Sequence, residues 1–358
     1  MNKIVSTLLL SFAFISALAG QPRYELISNC GGGVFAVTKD TISFEDGHFP
    51  DWYIIDLKGN IVSSPIKAGP FGPEFNSAGF AMVGDSERYI IDTKGNVLVP
   101  KSENPFLLEN GYYVTRGADG VETLRALPDG KLVCSVPKDL QIKPTSIIAD
   151  GMIPVGHAEG DDWKYGFIDF NGKEVVPVKY AKVGNFSEGL ASVSLDGTYF
   201  SFVDTKGRTA LAGPYLELAL DDLDDEEYLF PTFTEGLAAV GVGSDEYVYI
   251  DHKGNQAIDG KFLGADRFDA SGMAQVCDKE EGWITIDKTG RKVTPPDENA
   301  ELVKAWPEPF YPLWFVNGYS VVSNQTYDKP ENCHVIDIHG RIVLKDIARA
   351  DIRYYKPA

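Results

Sequence analysis

Two stretches gather side chains able to do chemistry. "LDDLDDEEY", Leu220 to Tyr228, sets six carboxylates in seven residues: Asp221, Asp222, Asp224, Asp225, Glu226 and Glu227. Their oxygens could take Ca²⁺, or their charge could hold a cationic peptide. The run lacks the interleaved glycine or asparagine that folds a loop around the ion, so a plain solvated loop is the competing reading. "KAWPEPFYPLWF", Lys304 to Phe315, places Trp306, Phe310, Tyr311 and Trp314 among three prolines. Proline stiffens a backbone before any partner arrives. Large rings on a stiff loop suit an interface anchor or a platform for sugars, unless they bury against the body of the domain.

Elsewhere the reactive groups do not converge. The chain has no G-x-S-x-G elbow, no H-E-x-x-H, no Walker loop and no G-x-G-x-x-G. The glycines after Cys30 lead into a strand rather than a helix, so they make no phosphate cradle. Of the five histidines, His252 and His339 occupy turns, and Cys333-His334 with His339 offers a metal only one strand and one turn. Carboxylates are too plentiful to nominate an acid–base pair of fixed separation. The expectation is a protein with no catalytic residues, no metal and no cofactor.

The elements that carry these residues are written as a repeat. The glycine of a D-x-x-G turn recurs at Gly59, Gly95, Gly130, Gly172, Gly207, Gly254, Gly290 and Gly340. Three residues earlier stand Asp56, Asp92, Asp169, Asp204, Asp251, Asp287 and Asp337, with Leu127 breaking the rule in the third copy. The aspartate opening such a turn accepts backbone N–H groups two residues on, and the glycine supplies the positive φ that closes it. These aspartates are therefore expected to be structural. A glycine followed by small and apolar residues precedes each turn, as in "GLASV" at Gly189 and "GLAAV" at Gly236. An aromatic lies a few residues upstream of several of these, at Phe75, Phe186, Phe233, Phe268 and Phe315. Another stands four residues before the aspartate at Trp52, Tyr165, Phe200, Tyr247 and Trp283.

Together these phrases resemble the WG-repeat family of bacterial proteins, whose pattern runs G-L-A-x-V, then W-G-[YF]-I-D-x-x-G-K, then V-x-P. "YGFIDFNGKEVVP", Tyr165 to Pro177, matches it best, with Tyr165 for the tryptophan and Gly166 for the glycine. The dipeptide Trp-Gly itself never occurs. The resemblance spans about residues 30 to 345. It implies an interaction role.

Each copy reads as three or four short strands rich in β-branched and aromatic residues. Repeated hydrophobic faces must stack on their neighbours. The expected fold is all-β, a closed β-propeller with one repeat per blade and an open β-solenoid as the alternative. Residues 20–358 are expected to form one domain of eight repeats. "RYELIS", Arg23 to Ser28, is expected to complete the sheet of the last repeat. On that arrangement Cys30 and Cys333 sit in neighbouring elements and are candidates for a disulfide, while Cys134 and Cys277 lie too many repeats apart to pair.

Residues 1–19 read as a signal peptide: Lys3, an apolar Ile4 to Ala17, and an Ala17-Leu18-Ala19 cleavage site. Gln21 stands where a lipoprotein box needs cysteine, so no lipid anchor is expected. No second apolar stretch is long enough to span a membrane. The formal net charge of −19 argues against nucleic acid or an anionic membrane as a partner. The expected function is an exported binding or scaffold module for another protein, with a carbohydrate-binding protein as one alternative and a propeller-type hydrolase or lyase as the other. The turn-to-strand connection is longest at Gly207–Gly236 and Gly290–Gly318, so both candidate loops belong to the same connection of the repeat and to one rim.

Overall fold

The computed structural model describes residues 23–31, 34–40, 49–69, 71–84, 87–144, 146–218, 230–244, 246–269, 272–293, 319–323, 333–337 and 341–351. The described chain is all-β, apart from one turn of 3₁₀ helix at Lys101–Glu103. It forms many small sheets, and it divides into two compact units, Phe106–Pro296 and Met1–Pro105 with Asp297–Ala358. Among the described residues no helix is long and apolar enough to cross a membrane.

In the unit of residues 106–296 each repeat becomes one antiparallel sheet. The clearest comprises Lys182–Val183, Leu190–Ser194, Phe200–Asp204 and Thr209–Tyr215, hydrogen-bonded in that order. "GLASV" is thus the second strand and "FSFVD" the third, paired from Leu190↔Asp204 to Ser194↔Phe200. Leu190–Ser194 is buried on both faces, because a neighbouring sheet covers each side. Ring contacts run between consecutive sheets. Phe186 meets Phe167 of the preceding sheet edge-on at 4.7 Å, Phe233 meets Phe202 at 5.0 Å, and Phe268 meets Tyr249 at 4.8 Å. The upstream aromatic of one repeat therefore packs on the aromatic two residues before the aspartate of the last.

The glycine of the family pattern has a packing reason. The pairing of third and fourth strands slips between Tyr165 and Phe167, a β-bulge. A Cβ on Gly166 would lie 2.5 Å from the Val176 carbonyl oxygen and 2.7 Å from that of Pro177. The next repeat has Ser201 at the equivalent place, and its Oγ accepts the Gly213 N–H at 3.2 Å. In the other unit His334 takes this role, its Nδ1 accepting the Asp346 N–H at 2.9 Å. Glycine makes room for the bulge, whereas serine and histidine bond to its N–H.

In the unit that joins the two ends of the chain, a seven-stranded sheet runs Tyr319–Ser323, Cys333–Asp337, Ile342–Asp351, Tyr24–Asn29, Phe35–Thr38, Asp51–Ile55 and Ile66–Lys67. Tyr24–Asn29 pairs in parallel with Ile342–Asp351 and antiparallel with Phe35–Thr38. "RYELIS" thus joins the sheet of the last repeat, as its position in the sequence leads one to expect. A three-stranded sheet, Phe80–Val83, Tyr89–Asp92 and Val97–Val99, completes this unit.

The disulfide expected between Cys30 and Cys333 does not form; both are free, buried thiols. Register explains why. Cys333 lies opposite Ala348, and Ala348 opposite Tyr24. Cys30 is six residues beyond Tyr24, about 20 Å along the strand, against the roughly 7 Å that a disulfide spans. Cys30 packs with Trp52 and Ile54, whereas Cys333 packs with Ile27 and Val335. Burial pushes the Cys30 thiol up to about 12.

Candidate functional site

The two loops singled out in the sequence, with Asp221, Asp222, Asp224 and Asp225 in one and Trp306, Phe310, Tyr311 and Trp314 in the other, lie outside the described residues. Buried Leu218 and buried Phe230 flank the first. Lys143 and Lys182 hold their ammonium groups 5.7 and 5.6 Å from the Phe230 ring.

The repeated aspartates sit in hairpin turns of one geometry. Asp251 Oδ1 accepts the N–H groups of Lys253 at 2.8 Å and Asn255 at 2.9 Å, while the Gly254 N–H donates to the Asp251 carbonyl at 2.9 Å. Gly254 has φ +79°, the left-handed position that closes such a loop. Asp56, Asp92, Asp169, Asp204 and Asp287 each accept the corresponding two N–H groups. Asp337 accepts that of Arg341. A detail the sequence reading missed is the residue after the glycine. Asn60, Asn96, Asn255, Arg208 and Arg341 return a side-chain donor to the second carboxylate oxygen. The N–H of the residue after the glycine is the main cause holding the Asp56, Asp169 and Asp251 carboxyls below the ordinary range. The Arg208 guanidinium holds Asp204 down at about 2.

A second series of turns ties the sheets of residues 106–296 together. Asp150–Gly151, Glu188–Gly189 and Glu235–Gly236 all have positive φ at both residues, as a two-residue type I′ hairpin requires. The acidic residue of each reaches the next repeat. Asp150 Oδ2 accepts the Gly189 N–H at 2.8 Å, both Glu188 oxygens lie 3.1 Å from the Gly236 nitrogen, and Glu235 pairs with Lys288 at 3.1 Å. Glu188 also meets His252 Nε2 at 3.2 Å, and the His252 ring stacks on Phe233 at 4.4 Å.

The opposite ends of these sheets are the hairpins between second and third strands, and from the second sheet of the unit onward each sets acid beside an aromatic residue, whereas the first, at residues 117–121, has no aromatic. The tip at residues 159–162 carries exposed Glu159, Asp161 and Asp162, then Trp163. Trp163, 41% exposed, stacks on Tyr165 at 6.2 Å and 17°. Tyr165 lies over Gly156, where a Cβ would come within 2.7 Å of its ring. In the next sheet Asp196 binds the Tyr199 N–H at 2.9 Å, and Tyr199 is 53% exposed. Farther along, Asp278, Glu280 and Glu281 precede Trp283, which is 54% exposed and lies over Gly264. Glu246 precedes Tyr247 in the same way, but that ring is buried. Exposed Leu195 and Val242 belong to the same ends. The aromatic four residues before the aspartate thus has two fates: Trp52, Phe200 and Tyr247 are buried, whereas Trp283 faces solvent. Trp163 was not singled out in the sequence, since it precedes the matched pattern by two residues. Among the described residues no three His, Cys, Asp or Glu side chains are placed to hold a metal ion.

No curated protein matches the chain by sequence. Among solved structures it is similar to a eukaryotic initiation factor, at 11% identity over 92% of this chain and 91% of that one, with a TM-score of 0.48. It is similar to AztD of Citrobacter koseri at 14% identity over 84% of this chain and 93% of that one, TM-score 0.40. BamB of Moraxella catarrhalis is similar at 12% identity over 91% and 92%, TM-score 0.38. Superpositions this loose do not carry a function across. The profile of the WG-containing repeat family matches residues 165–199 and 249–283, stretches that begin at Tyr165 and Tyr249 and end at the exposed rings of Tyr199 and Trp283. The chain therefore carries WG-containing repeats.

Proposed function

We propose that this protein is an exported binding module that holds another protein at the cell envelope or outside the cell, with no catalytic role. The observation that carries the reading is the repeated hairpin end in residues 106–296. Exposed Trp163, Tyr199 and Trp283 recur on hairpins of sheets whose other ends are hydrogen-bonded to one another. Trp283 lies over Gly264 and Trp163 stacks on Tyr165, so these rings are pre-ordered and little side-chain entropy is lost when a partner covers them. The signal-like residues 1–19 support export. We infer further that the sheets close into a propeller. The insertion of Tyr24–Asn29 beside the last strand supports this, because it joins the two ends of the repeat array in one sheet.

The Trp163–Tyr165 stack also favours a second reading, a glycan held against the rings. Both are tested by immobilising residues 20–358, passing an envelope extract over them, and identifying retained proteins and glycans by mass spectrometry. A discrete protein retained by the wild type and lost with Trp163→Ala/Trp283→Ala supports the first reading. Retained polysaccharide alone favours the second. Retention indifferent to both substitutions refutes this rim as the contact surface.

A further inference from the structure

We propose that the hairpin rim of residues 106–296 takes a cationic partner, an extended protein segment carrying several arginine or lysine side chains. This rests on the binding-module reading and names the chemistry of what is bound. The argument comes from what stands beside each ring. Trp163 follows Glu159, Asp161 and Asp162; Tyr199 follows Asp196; Trp283 follows Asp278, Glu280 and Glu281. Lys279 is the one basic residue in these tips. Some of this charge is already used. Glu281 pairs with Lys292, Glu246 with Lys261, and Asp196 and Asp278 accept N–H groups of their own turns. Glu159, Asp161, Asp162 and Glu280 remain exposed to solvent beside the rings.

An exposed ring flanked by carboxylates matches a guanidinium or ammonium in two ways at once. The cation stacks on the ring face, where the negative quadrupole attracts it. Its N–H groups meet the carboxylates, and arginine does so with a planar fork. A bare metal ion fits less well, because the acids are distributed over separate hairpins and no three of the described ligating side chains converge. An anionic partner meets like charge, both at the rim and from a chain of net charge −19. A neutral glycan would use the rings but gains nothing from acid at every tip. The spacing also sets the form of the ligand: Trp163 and Tyr199 stand on consecutive sheets and Trp283 two sheets farther on, a spread that suits an extended segment crossing them.

The test is isothermal titration of residues 20–358 with three synthetic peptides of equal length, alternating serine with arginine, glutamine or glutamate, and with a soluble neutral oligosaccharide. The expected result is saturable binding of the arginine peptide alone, weakening as salt is raised. Trp163→Ala/Trp283→Ala should weaken it at least tenfold. Asp161→Asn/Asp162→Asn should weaken it several-fold and flatten the salt dependence. Glu174→Gln/Asp129→Asn removes as much charge at the turn ends of the sheets, away from the rim, and should leave binding unchanged; an equal loss there would reduce the effect to net charge and overturn the proposal. Thermal melts of each variant establish that it is folded. Binding of the glutamine peptide as tight as the arginine peptide, or of the oligosaccharide in its place, would also overturn it. The two levels separate cleanly. If a captured partner depends on Trp163 and Trp283 yet resists high salt and competition by the arginine peptide, the binding-module reading stands and the cationic inference falls.

Discussion

Glu188 offers the sharpest test of how the repeats hold together. Its backbone has φ +53°, a left-handed conformation that a long side chain adopts only at a cost and that asparagine or glycine adopts more readily. Its carboxylate nevertheless binds the Gly236 N–H through both oxygens at 3.1 Å and pairs with His252 at 3.2 Å. The residue is thus explained by its reach to the next sheet rather than by its turn. A hydrogen bond to a charged group contributes about 1.5–3 kcal/mol when sheltered. The Glu188 side chain is 33% exposed, so screening reduces that to about 1–2 kcal/mol, the His252 pair included. For a unit of this size each kcal/mol moves the melting temperature about 2–4 °C. Glu188→Ala should therefore melt about 2–8 °C lower by calorimetry. Glu188→Asn, which suits the turn but is too short for Gly236, should also melt below wild type despite its better local conformation. If Glu188→Asn is as stable as wild type or more so, the contact between sheets contributes nothing measurable and the turn alone determines stability.

The other predictions concern single positions. Gly166→Ala drives a Cβ into the Val176 and Pro177 carbonyls and should destabilise by about 1–3 kcal/mol in urea melts, whereas Ser201→Ala, which makes no such clash but loses the acceptor of the Gly213 N–H, should cost only about 0.5–1.5 kcal/mol. Phe233→Ala empties a fully buried site touching Phe202 and His252 and should destabilise by about 3–5 kcal/mol. His334 is buried with Nδ1 accepting a backbone N–H, and burial lowers its pKa. The folded state therefore takes up fewer protons, so its contribution is complete above about pH 6.5 and is lost as pH falls below that value. His334→Gln should flatten this part of the stability profile. Dithiothreitol should leave the melting temperature unchanged, and a non-reduced digest should contain no Cys30–Cys333 peptide; finding that peptide would refute the register given for the seven-stranded sheet.

The all-β repeat was legible because its signals are local. An aspartate three residues before a glycine determines a turn through its own backbone N–H groups, and the flanking "GLASV" and "FSFVD" phrases can only be strands. The burial of Trp52, Phe200 and Tyr247 followed from the same reasoning, since a face repeated along a chain must be covered by its neighbours. Other features depend on residues far apart in sequence. Trp52 and Trp283 occupy the same place in the repeat, yet one is fully buried and the other exposed, because the neighbouring element differs, not the local pattern. The acids of Glu188 and Glu235 look like ordinary turn residues until the next sheet brings Gly236 and Lys288 within reach. Cys333 and the strand that leads into Cys30 share a sheet, but only strand register shows that the two thiols lie far apart along it. The sequence by itself determined the turns, the strands and the period, since these rest on contacts within a few residues. Which rings face solvent, which acids bridge repeats and which thiols stay apart were decided by the tertiary structure, since exposure and register depend on what the rest of the chain places alongside.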